Sequence, residues 1–380
     1  MSVPLEHGSP GDERAYAHGG DVDAVAREYG IPAGALVDFS ASINPLGPPA
    51  RVLARLRREA ADAALLARYP DPQYSELRTA LSAHVHVPPT SLAIANGSAA
   101  LCGAVIRTLT PGTCVLAVPA FAEQHRALEA AGWSVSPFSV NASDGFRLDA
   151  GALCEMLDTV RPALCLLTNP HNPSGALTSA AEMIRVVRTS AACGTRLLID
   201  EAFIDYTPSE SLTAEATRWE HLMILRSLTK FYGMPALRVG FSVSMPQVAA
   251  RIDAQLPAWP VTTLAAAAGV EAVRDLEYAR RTLLNVADER GCFAEALAAI
   301  GVETYTSAAN FLLLRLPGRL DSARVRAQLI REHRIVVRDC RSFQGLSDGR
   351  FVRVAVRSSD ENGRLVRALR SVLEDSALAP

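Results

Sequence analysis

The chain contains a single lysine, Lys230, although 38 of its residues are Lys or Arg. Arginine serves wherever a cation is needed, and its guanidinium stays protonated. A lysine amine, by contrast, can lose its proton and attack a carbonyl carbon. Lys230 is therefore either the reactive amine of a Schiff base or a solvated surface lysine retained by chance. The motifs around it in the sequence distinguish the two possibilities.

The other polar motifs match the needs of one carbonyl cofactor, pyridoxal 5'-phosphate (PLP), whose aldehyde would take the amine. Asp200, in the run LLIDEAF, is placed to keep the pyridine nitrogen protonated; the alternative is a helix cap. An NGSA segment that opens an apolar helix over 99–109 is either a phosphate site or only a turn. The candidate phosphate donors are Gly97, Ser98, Ala99, Ser227, Thr229 and Arg238.

Two further residues complete the candidate cofactor site. Asn172, in NPHNPSG, is a hydrogen-bond donor for the phenolic oxygen of the ring, unless it only forms a turn. Phe121, in PAFAEQ, is placed to stack on the ring, unless it is a core aromatic residue.

Apolar strands alternate with helical stretches from about residue 53 to 250, which predicts a mostly parallel sheet covered on both faces. The predicted strands are 92–96, 113–118, 163–168, 196–200, 222–226 and 238–244. Ligands bind beyond the carboxyl ends of such strands. The candidate groups at 97–98, 172 and 230 follow three of these strands, and Asp200 ends a fourth, so we expect them at one edge of the sheet.

The predicted organisation is an N-terminal arm over 1–20, a large domain over 53–264, and a small domain. The small domain combines 21–52 with 265–380, where helices at 265–300, 321–332 and 360–374 accompany strands near 302–305, 310–315, 335–338 and 351–356.

Composition excludes several classes of function. A net charge of −2 gives no footprint for nucleic acid, and no apolar run reaches the length of a membrane span. The polar N-terminus is unlike a signal peptide. The seven cysteines form no CxxC pair and the histidines have no metal-ligand spacing, which favours free thiols in a reducing cytoplasm and no metal.

SLTK followed by ALRVG, with DEAF and HNPSG upstream, resembles the fold-type I aminotransferase superfamily, and the resemblance covers nearly the whole chain. It implies a PLP-dependent transferase fold of the α/β class, with Lys230 as the Schiff-base lysine and Asp200 as the pyridine partner. It also implies Arg353 at the substrate carboxylate. Tyr69, in ARYPDPQY, matches the tyrosine that reaches the neighbouring subunit's cofactor, which implies a homodimer.

Within this superfamily the chain resembles the histidinol-phosphate aminotransferase branch and, more closely, the threonine-phosphate decarboxylases of cobalamin biosynthesis. The stretches that carry this likeness are AHGGD at 17–21, VDFSASINPLGPP at 37–49, RSLTKFYGMPALRVGF at 226–241 and RVAVRSS at 353–359. The resemblance implies His18, Arg338 and Arg357 at the substrate phosphate, and Asn44 against the substrate.

The working hypothesis is decarboxylation of O-phospho-L-threonine to (R)-1-amino-2-propanol O-2-phosphate. Phe203 in DEAF favours this reading, since aminotransferases usually carry Tyr at that position and the decarboxylase branch has Phe. The alternatives are an aminotransferase of a phosphorylated substrate such as histidinol phosphate, and a phosphoserine decarboxylase. A DNA-binding regulator with this fold is disfavoured because the segment before the sheet is too short and too acidic for a helix-turn-helix module.

Overall fold

The computed structural model describes residues 18–318 and 320–377. Of the predicted N-terminal arm, only His18, Gly19 and Gly20 fall within this range, and residues 1–17 lie outside it.

The described residues form a large sheet, a small sheet and a short strand pair. Together the three contain the strands β1 Val37–Asp38, β2 Leu92–Ala95, β3 Thr113–Val118, β4 Ser134–Ser139, β5 Leu164–Thr168, β6 Arg196–Asp200, β7 Leu222–Ser227, β8 Gly240–Val243, β9 Glu303–Thr304, β10 Phe311–Arg315, β11 Ile335–Val336, β12 Arg338–Asp339 and β13 Phe351–Ala355.

The helices of the described residues lie around these sheets. They are α1 Val22–Tyr29, α2 Ala50–Ala60, α3 Ala63–Leu66, α4 Ser75–Val85, α5 Gly97–Arg107, α6 Ala122–Ala130, α7 Ala150–Val160, α8 Ala180–Cys193, α9 Thr213–Ala216, α10 Leu228–Phe231, α11 Pro246–Asp253, α12 Thr263–Arg274, α13 Leu276–Ala298, α14 Ser322–His333 and α15 Ser359–Ala377. None of these helices is both long and apolar enough to cross a membrane.

The large sheet has seven strands in the order β2-β8-β7-β6-β5-β3-β4. The neighbours from β7 to β4 pair in parallel, whereas β8 pairs antiparallel with both β7 and β2. The predicted α/β class and mostly parallel sheet are therefore confirmed. Strand β4 was not predicted, because its sequence SVSPFS alternates between half-buried and exposed positions at the sheet edge and lacks a continuous apolar run.

Both faces of the large sheet are buried, because successive side chains of a strand point to opposite faces. In β5, Cys165 and Leu167 pack in one apolar cluster, while Leu164 and Leu166 pack in another. This is why the central strands are almost uninterrupted runs of apolar residues.

The small sheet has four antiparallel strands in the order β12-β13-β10-β9. The N-terminal segment joins this part of the chain, because β1 pairs in parallel with β11 through Val37 and Ile335. Phe39, just after β1, packs in the same apolar cluster as Leu312 and Val354 of the small sheet.

The change from one apolar core to the other occurs within α13. Its residues Tyr278 and Val286 pack with the large-sheet cluster, whereas Phe293 and Leu297 pack with the small-sheet cluster. The predicted boundary between residues 264 and 265 falls inside α12, which packs wholly with the large-sheet cluster. We propose that the small domain begins within α13.

Candidate active site

The direction of the strands explains why distant motifs meet at one edge of the large sheet. Strands β2, β5, β6 and β7 end at this edge, so the residues that follow them collect there. Strand β8 runs in the opposite direction and starts at this edge, with Gly240 paired to Ala95 and Ser227. Arg238, which precedes β8, therefore lies beside the groups that follow the other strands.

A cavity of about 470 Å³ opens at this edge. Its lining includes most of the predicted site residues: His18, Ser98, Ala99, Phe121, Asn172, Asp200, Ser227, Thr229, Lys230, Arg238, Arg338 and Arg353.

The lining has two parts, which we name by their origin. The sheet side comprises the groups at the strand ends: Ser98, Ala99, Thr168, Asp200, Ser227, Thr229, Lys230 and Arg238. The arm side comprises groups from the N-terminal segment, α6 and the small sheet: His18, Ser40, Glu123, Arg126, Arg338 and Arg353.

Lys230 lies in the one-turn helix α10 that directly follows β7. Ser227 caps this helix, because its hydroxyl accepts a hydrogen bond from the Thr229 amide. Burial lowers the pKa of Lys230 to about 8, and the positive charges of Arg238 and Arg353 add to this effect, while Asp200 opposes it. The shifted pKa makes the neutral, nucleophilic amine accessible near neutral pH.

Asp200 ends β6 and is held by two donors. Oδ1 accepts from the Ala202 amide at 3.1 Å, and Oδ2 accepts from Gln124 Nε2 at 3.2 Å. Burial raises the pKa of Asp200 to about 6, although both hydrogen bonds and the charge of Lys230 act against that rise. A cation placed against this buried carboxylate would favour its ionised form, as a protonated pyridine nitrogen requires.

The residues at the start of α5 fit a phosphate group. Gly97 has a φ of +83°, and a Cβ there would lie 2.9 Å from Arg238 Nη2. A Cβ on Gly240 would lie 2.8 Å from the Ser98 nitrogen. The glycines thus allow Arg238, β8 and the helix N-terminus to approach one another, and the hydroxyls of Ser227 and Thr229 line the same cavity. Backbone N–H groups, hydroxyls and a guanidinium are the donors that a phosphate group requires.

Arg353, in β13 of the small sheet, contacts both the segment that follows β5 and the N-terminal segment. Its Nη1 donates to Asn172 Oδ1, and its Nη2 donates to the Ser40 carbonyl oxygen at 3.1 Å. The amide oxygen of Asn172 is therefore engaged, which directs the NH₂ group to other acceptors such as a phenolic oxygen. Arg353 is only 8% exposed and lies 5.2 Å above the Phe311 ring.

Arg338 is the second buried arginine of the arm side, also 8% exposed. Its Nη2 donates to Ser342 Oγ at 2.7 Å, and its guanidinium lies 5.3 Å from the centre of the Phe343 ring. These contacts hold the side chain toward the cavity.

His18 lies at the outer end of the arm side. Its ring is 5.4 Å from the Phe121 ring, and its Nε2 is 3.0 Å from Glu123 Oε1. Hydrogen bonds from Arg126 and His18 lower the pKa of Glu123 against the opposing effect of burial, which is the largest influence on that carboxyl.

Four predicted residues do not line the cavity: Gly97, which has no side chain, and Asn44, Arg357 and Tyr69. Asn44 Nδ2 donates to Phe231 O, Tyr278 Oη and Thr282 Oγ1, so it ties the N-terminal segment to the core. Arg357 donates to Asp38 O at 2.9 Å and pairs with Glu361. Tyr69 is 78% exposed and stacks on Trp259 at 4.3 Å, away from the cavity of its own chain.

The structure also adds residues that the sequence analysis did not select for the site. Thr168 carried a usable signal, because it is the last residue of a predicted strand. Gln124 carried no signal of this kind, because its contact with Asp200 depends on how α6 packs. Ser40, Glu123 and Arg126 carried no signal, because nothing in their spacing marks them as neighbours of Lys230.

The cavity thus brings together a buried lysine, a buried carboxylate and a group of donors that fits a phosphate. The family model for class I and II aminotransferases matches residues 35–369, and the chain belongs to that family. Its members use PLP, so the cofactor predicted from Lys230 and Asp200 is confirmed.

Two curated relatives align with almost the full chain. The chain is 36% identical to threonine-phosphate decarboxylase of Salmonella typhimurium, over 96% of this chain and 98% of the relative. It is 32% identical to histidinol-phosphate aminotransferase 2 of Ralstonia nicotianae, over 96% of each protein. The predicted resemblance to both branches is confirmed.

Among solved structures, the histidinol-phosphate aminotransferase from Clostridium acetobutylicum superposes with a TM-score of 0.82. The match covers 90% of this chain and all of that chain, at 29% identity. It confirms the predicted fold-type I architecture.

Proposed function

We propose that this PLP-dependent enzyme decarboxylates O-phospho-L-threonine to (R)-1-amino-2-propanol O-2-phosphate and carbon dioxide, for cobalamin biosynthesis. The single observation that carries the proposal is the full-length likeness to a threonine-phosphate decarboxylase, at 36% identity. The cavity supports it with Arg338 and Arg353, which come from the small sheet, whereas Arg238, which would bind the cofactor phosphate, precedes β8 of the large sheet. An O-phospho-amino acid carries two anionic groups, and each of them suits the fork of one arginine.

Residues on the sheet side would hold the cofactor. The amides of Ser98 and Ala99, with Ser227, Thr229 and Arg238, would bind its phosphate, and Asp200 would lie against the pyridine nitrogen. Bound PLP supplies an electron sink for the bond that breaks at Cα of the substrate.

Residues on the arm side would orient the substrate and so determine which bond at Cα breaks. Arg353 would orient the carboxylate, and Arg338 with His18 would hold the phosphate, so that the Cα–carboxylate bond is the one presented to the cofactor. Carbon dioxide leaves without its bonding electron pair. Lys230, whose pKa is lowered to about 8 by burial and by nearby arginines, would then supply a proton to Cα.

Phe203 supports a lyase because it removes a polar group from the wall of the cavity. The ring is 5% exposed and packs edge-on against Phe311 at 4.9 Å. Where relatives with aminotransferase activity usually carry a tyrosine, this chain offers no hydroxyl.

The main alternative is an aminotransferase of a phosphorylated substrate, which the 32% identity to a histidinol-phosphate aminotransferase favours. It would use the same residues, but Lys230 would remove the Cα proton. The carboxylate would then stay on the substrate.

The test mixes holoenzyme with O-phospho-L-threonine and follows carbon dioxide release together with the cofactor absorption spectrum. The proposal predicts stoichiometric carbon dioxide with the lysine-bound cofactor band retained. No carbon dioxide, with conversion of the cofactor to pyridoxamine phosphate by amino donors, would establish the aminotransferase. Parallel assays with O-phospho-L-serine test the other alternative, a phosphoserine decarboxylase, which would release carbon dioxide faster from that substrate.

We also propose a homodimer in which Tyr69 reaches the cofactor of the neighbouring subunit. The support is an exposed aromatic pair, Tyr69 and Trp259, that does not serve the cavity of its own chain. A mixture of Tyr69→Ala and Lys230→Ala chains should regain part of the wild-type activity, since one site of each mixed dimer is intact. Two inactive variants that stay inactive after mixing would contradict shared sites.

A further inference from the structure

A second carboxylate faces the cavity, and the reaction described above gives it no role. Among the described residues that line the cavity, the acidic ones are Asp200 and Glu123. Asp200 is explained by the cofactor. Glu123 lies on the arm side, among the cations that would receive an anionic substrate, where a fixed negative charge would weaken binding.

Glu123 engages a histidine and an arginine of the cavity at once. Its Oε1 is 3.0 Å from His18 Nε2, and its Oε2 accepts from Arg126 Nε at 3.0 Å and from Nη2 at 2.6 Å. Because a carboxylate only accepts hydrogen bonds, His18 carries a proton on Nε2 in this contact. The donors of both residues therefore converge on a pair of anionic oxygens, which is also how they would meet a phosphate.

The backbone of the arm has an anchor that does not depend on Glu123. The Gly20 amide donates to Ser40 Oγ at 2.8 Å, and Gly19 lies so close to Ser40 that a Cβ would be 2.1 Å from its carbonyl oxygen. The backbone next to His18 therefore keeps its place when the partner of the His18 ring changes. Glu123 itself is 21% exposed, which leaves its side chain a route toward solvent.

We propose that Glu123 is a displaceable internal stand-in for the phosphate of the substrate, and that Arg126 is a further phosphate-binding residue. This inference rests on the proposed function, since it assumes a phosphorylated substrate on the arm side. Before binding, Glu123 keeps His18 and Arg126 oriented toward the cavity. The phosphate, with more charge and a third terminal oxygen, then takes over their donors and the carboxylate turns away.

The test measures binding to holoenzyme from the fast change in cofactor absorbance on mixing. The ligands are O-phospho-L-threonine and, as the unphosphorylated comparison, L-threonine. Glu123→Gln keeps the shape but removes the competing charge, so O-phospho-L-threonine should bind about three- to fivefold more tightly, the scale of a partly exposed ion pair. L-threonine should bind as it does to wild type. Arg126→Gln should weaken the binding of the phosphorylated ligand alone.

Glu277→Gln is the matched control, because Glu277 forms the same i,i+3 pair with Arg280 at 2.7 Å outside the cavity. It should change neither dissociation constant. Unchanged or weaker binding of O-phospho-L-threonine by Glu123→Gln would overturn the inference, and so would an equal gain for L-threonine. A failure of the proposed function would look different. Glu123→Gln would still bind O-phospho-L-threonine more tightly than wild type does, but wild type would release no carbon dioxide from it.

Discussion

The sheet side and the arm side of the cavity differ in what holds their polar groups in place. On the sheet side, Asp200 and Ser227 end neighbouring parallel strands, so the hydrogen-bond ladder of the sheet fixes their separation. On the arm side, His18 and Arg126 come from separate segments of the chain, and contacts with the Glu123 carboxylate orient their side chains. A group positioned by the sheet tolerates changes around it, whereas a side chain oriented by a partner reorients when that partner changes.

The largest expected effect belongs to the sheet side. Lys230→Ala should lower kcat by about 10³-fold or more, because the chain has no second lysine to replace the amine. The visible absorption band of the lysine-bound cofactor should also disappear. Borohydride reduction of wild-type holoenzyme, followed by peptide mapping, should place the reduced cofactor on Lys230, and attachment elsewhere would contradict the assignment.

The buried carboxylate of Asp200, on the sheet side, should make the free energy of unfolding of the cofactor-free protein depend on pH. Burial raises the pKa of Asp200 from 3.8 to about 6, so the folded state binds this proton more readily than the unfolded state does. Stability contributed by Asp200 is therefore present at low pH and is lost as the pH rises through about 6.

Asp200→Asn removes that dependence. Relative to this variant, wild type should lose up to roughly 3 kcal/mol of unfolding free energy between pH 4 and pH 7. Urea unfolding of both cofactor-free proteins across this range measures the difference. A difference that stays constant with pH would mean that the carboxyl is not perturbed.

On the arm side, Arg353→Lys should raise KM for O-phospho-L-threonine about tenfold to a hundredfold, because an ammonium cannot reproduce the two-pronged contact. Arg357→Lys is the matched control, since Arg357 lies close by in sequence but donates to Asp38 and Glu361 instead of lining the cavity. Its KM should stay within about twofold of wild type. Equal effects of both substitutions would place Arg357 in the substrate site, as the sequence resemblance implies.

The smallest of these effects is expected at Gln124, which lies in the same helix as Glu123 of the arm side and contacts the sheet side. Gln124 in α6 donates both to Asp200 and to Thr168 Oγ1, at 3.2 and 3.0 Å. Gln124→Leu should lower kcat about tenfold through loss of a hydrogen bond to a charged group. A purely structural role of Gln124 would leave the pH profile of kcat unchanged. A shift of that profile would show that Gln124 acts on the ionisation of Asp200.

The same difference explains how far the sequence could predict the site. Strand ends are visible as the boundaries of apolar runs, and the groups that follow them, such as Asp200 and Lys230, were predicted on that basis. Pairing across the fold leaves no such trace. Glu123 and Arg126 look like any i,i+3 pair on a helix, and only the position of α6 beside His18 gives them a place in the cavity.

The arginines show the limit most clearly. Arg353 was predicted from the superfamily resemblance, and Arg338 and Arg357 from the resemblance to one branch of it. The structure puts Arg338 and Arg353 in the cavity and Arg357 outside it. Arg353 and Arg357 are an even number of residues apart, which suggests a common face of a strand. The strand β13 ends at Ala355, however, so the alternation that would bring Arg357 to the cavity no longer applies.

The most direct test of the central claim is the reaction of wild-type holoenzyme with O-phospho-L-threonine in deuterated water, analysed by NMR and mass spectrometry. The account predicts 1-amino-2-propanol O-2-phosphate with one deuteron on the carbon that carried the carboxylate, and one equivalent of carbon dioxide. Recovery of O-phospho-L-threonine that has exchanged its Cα proton for deuterium, or formation of a 2-oxo acid, would contradict it, because both require the carboxylate to stay while the Cα–H bond breaks.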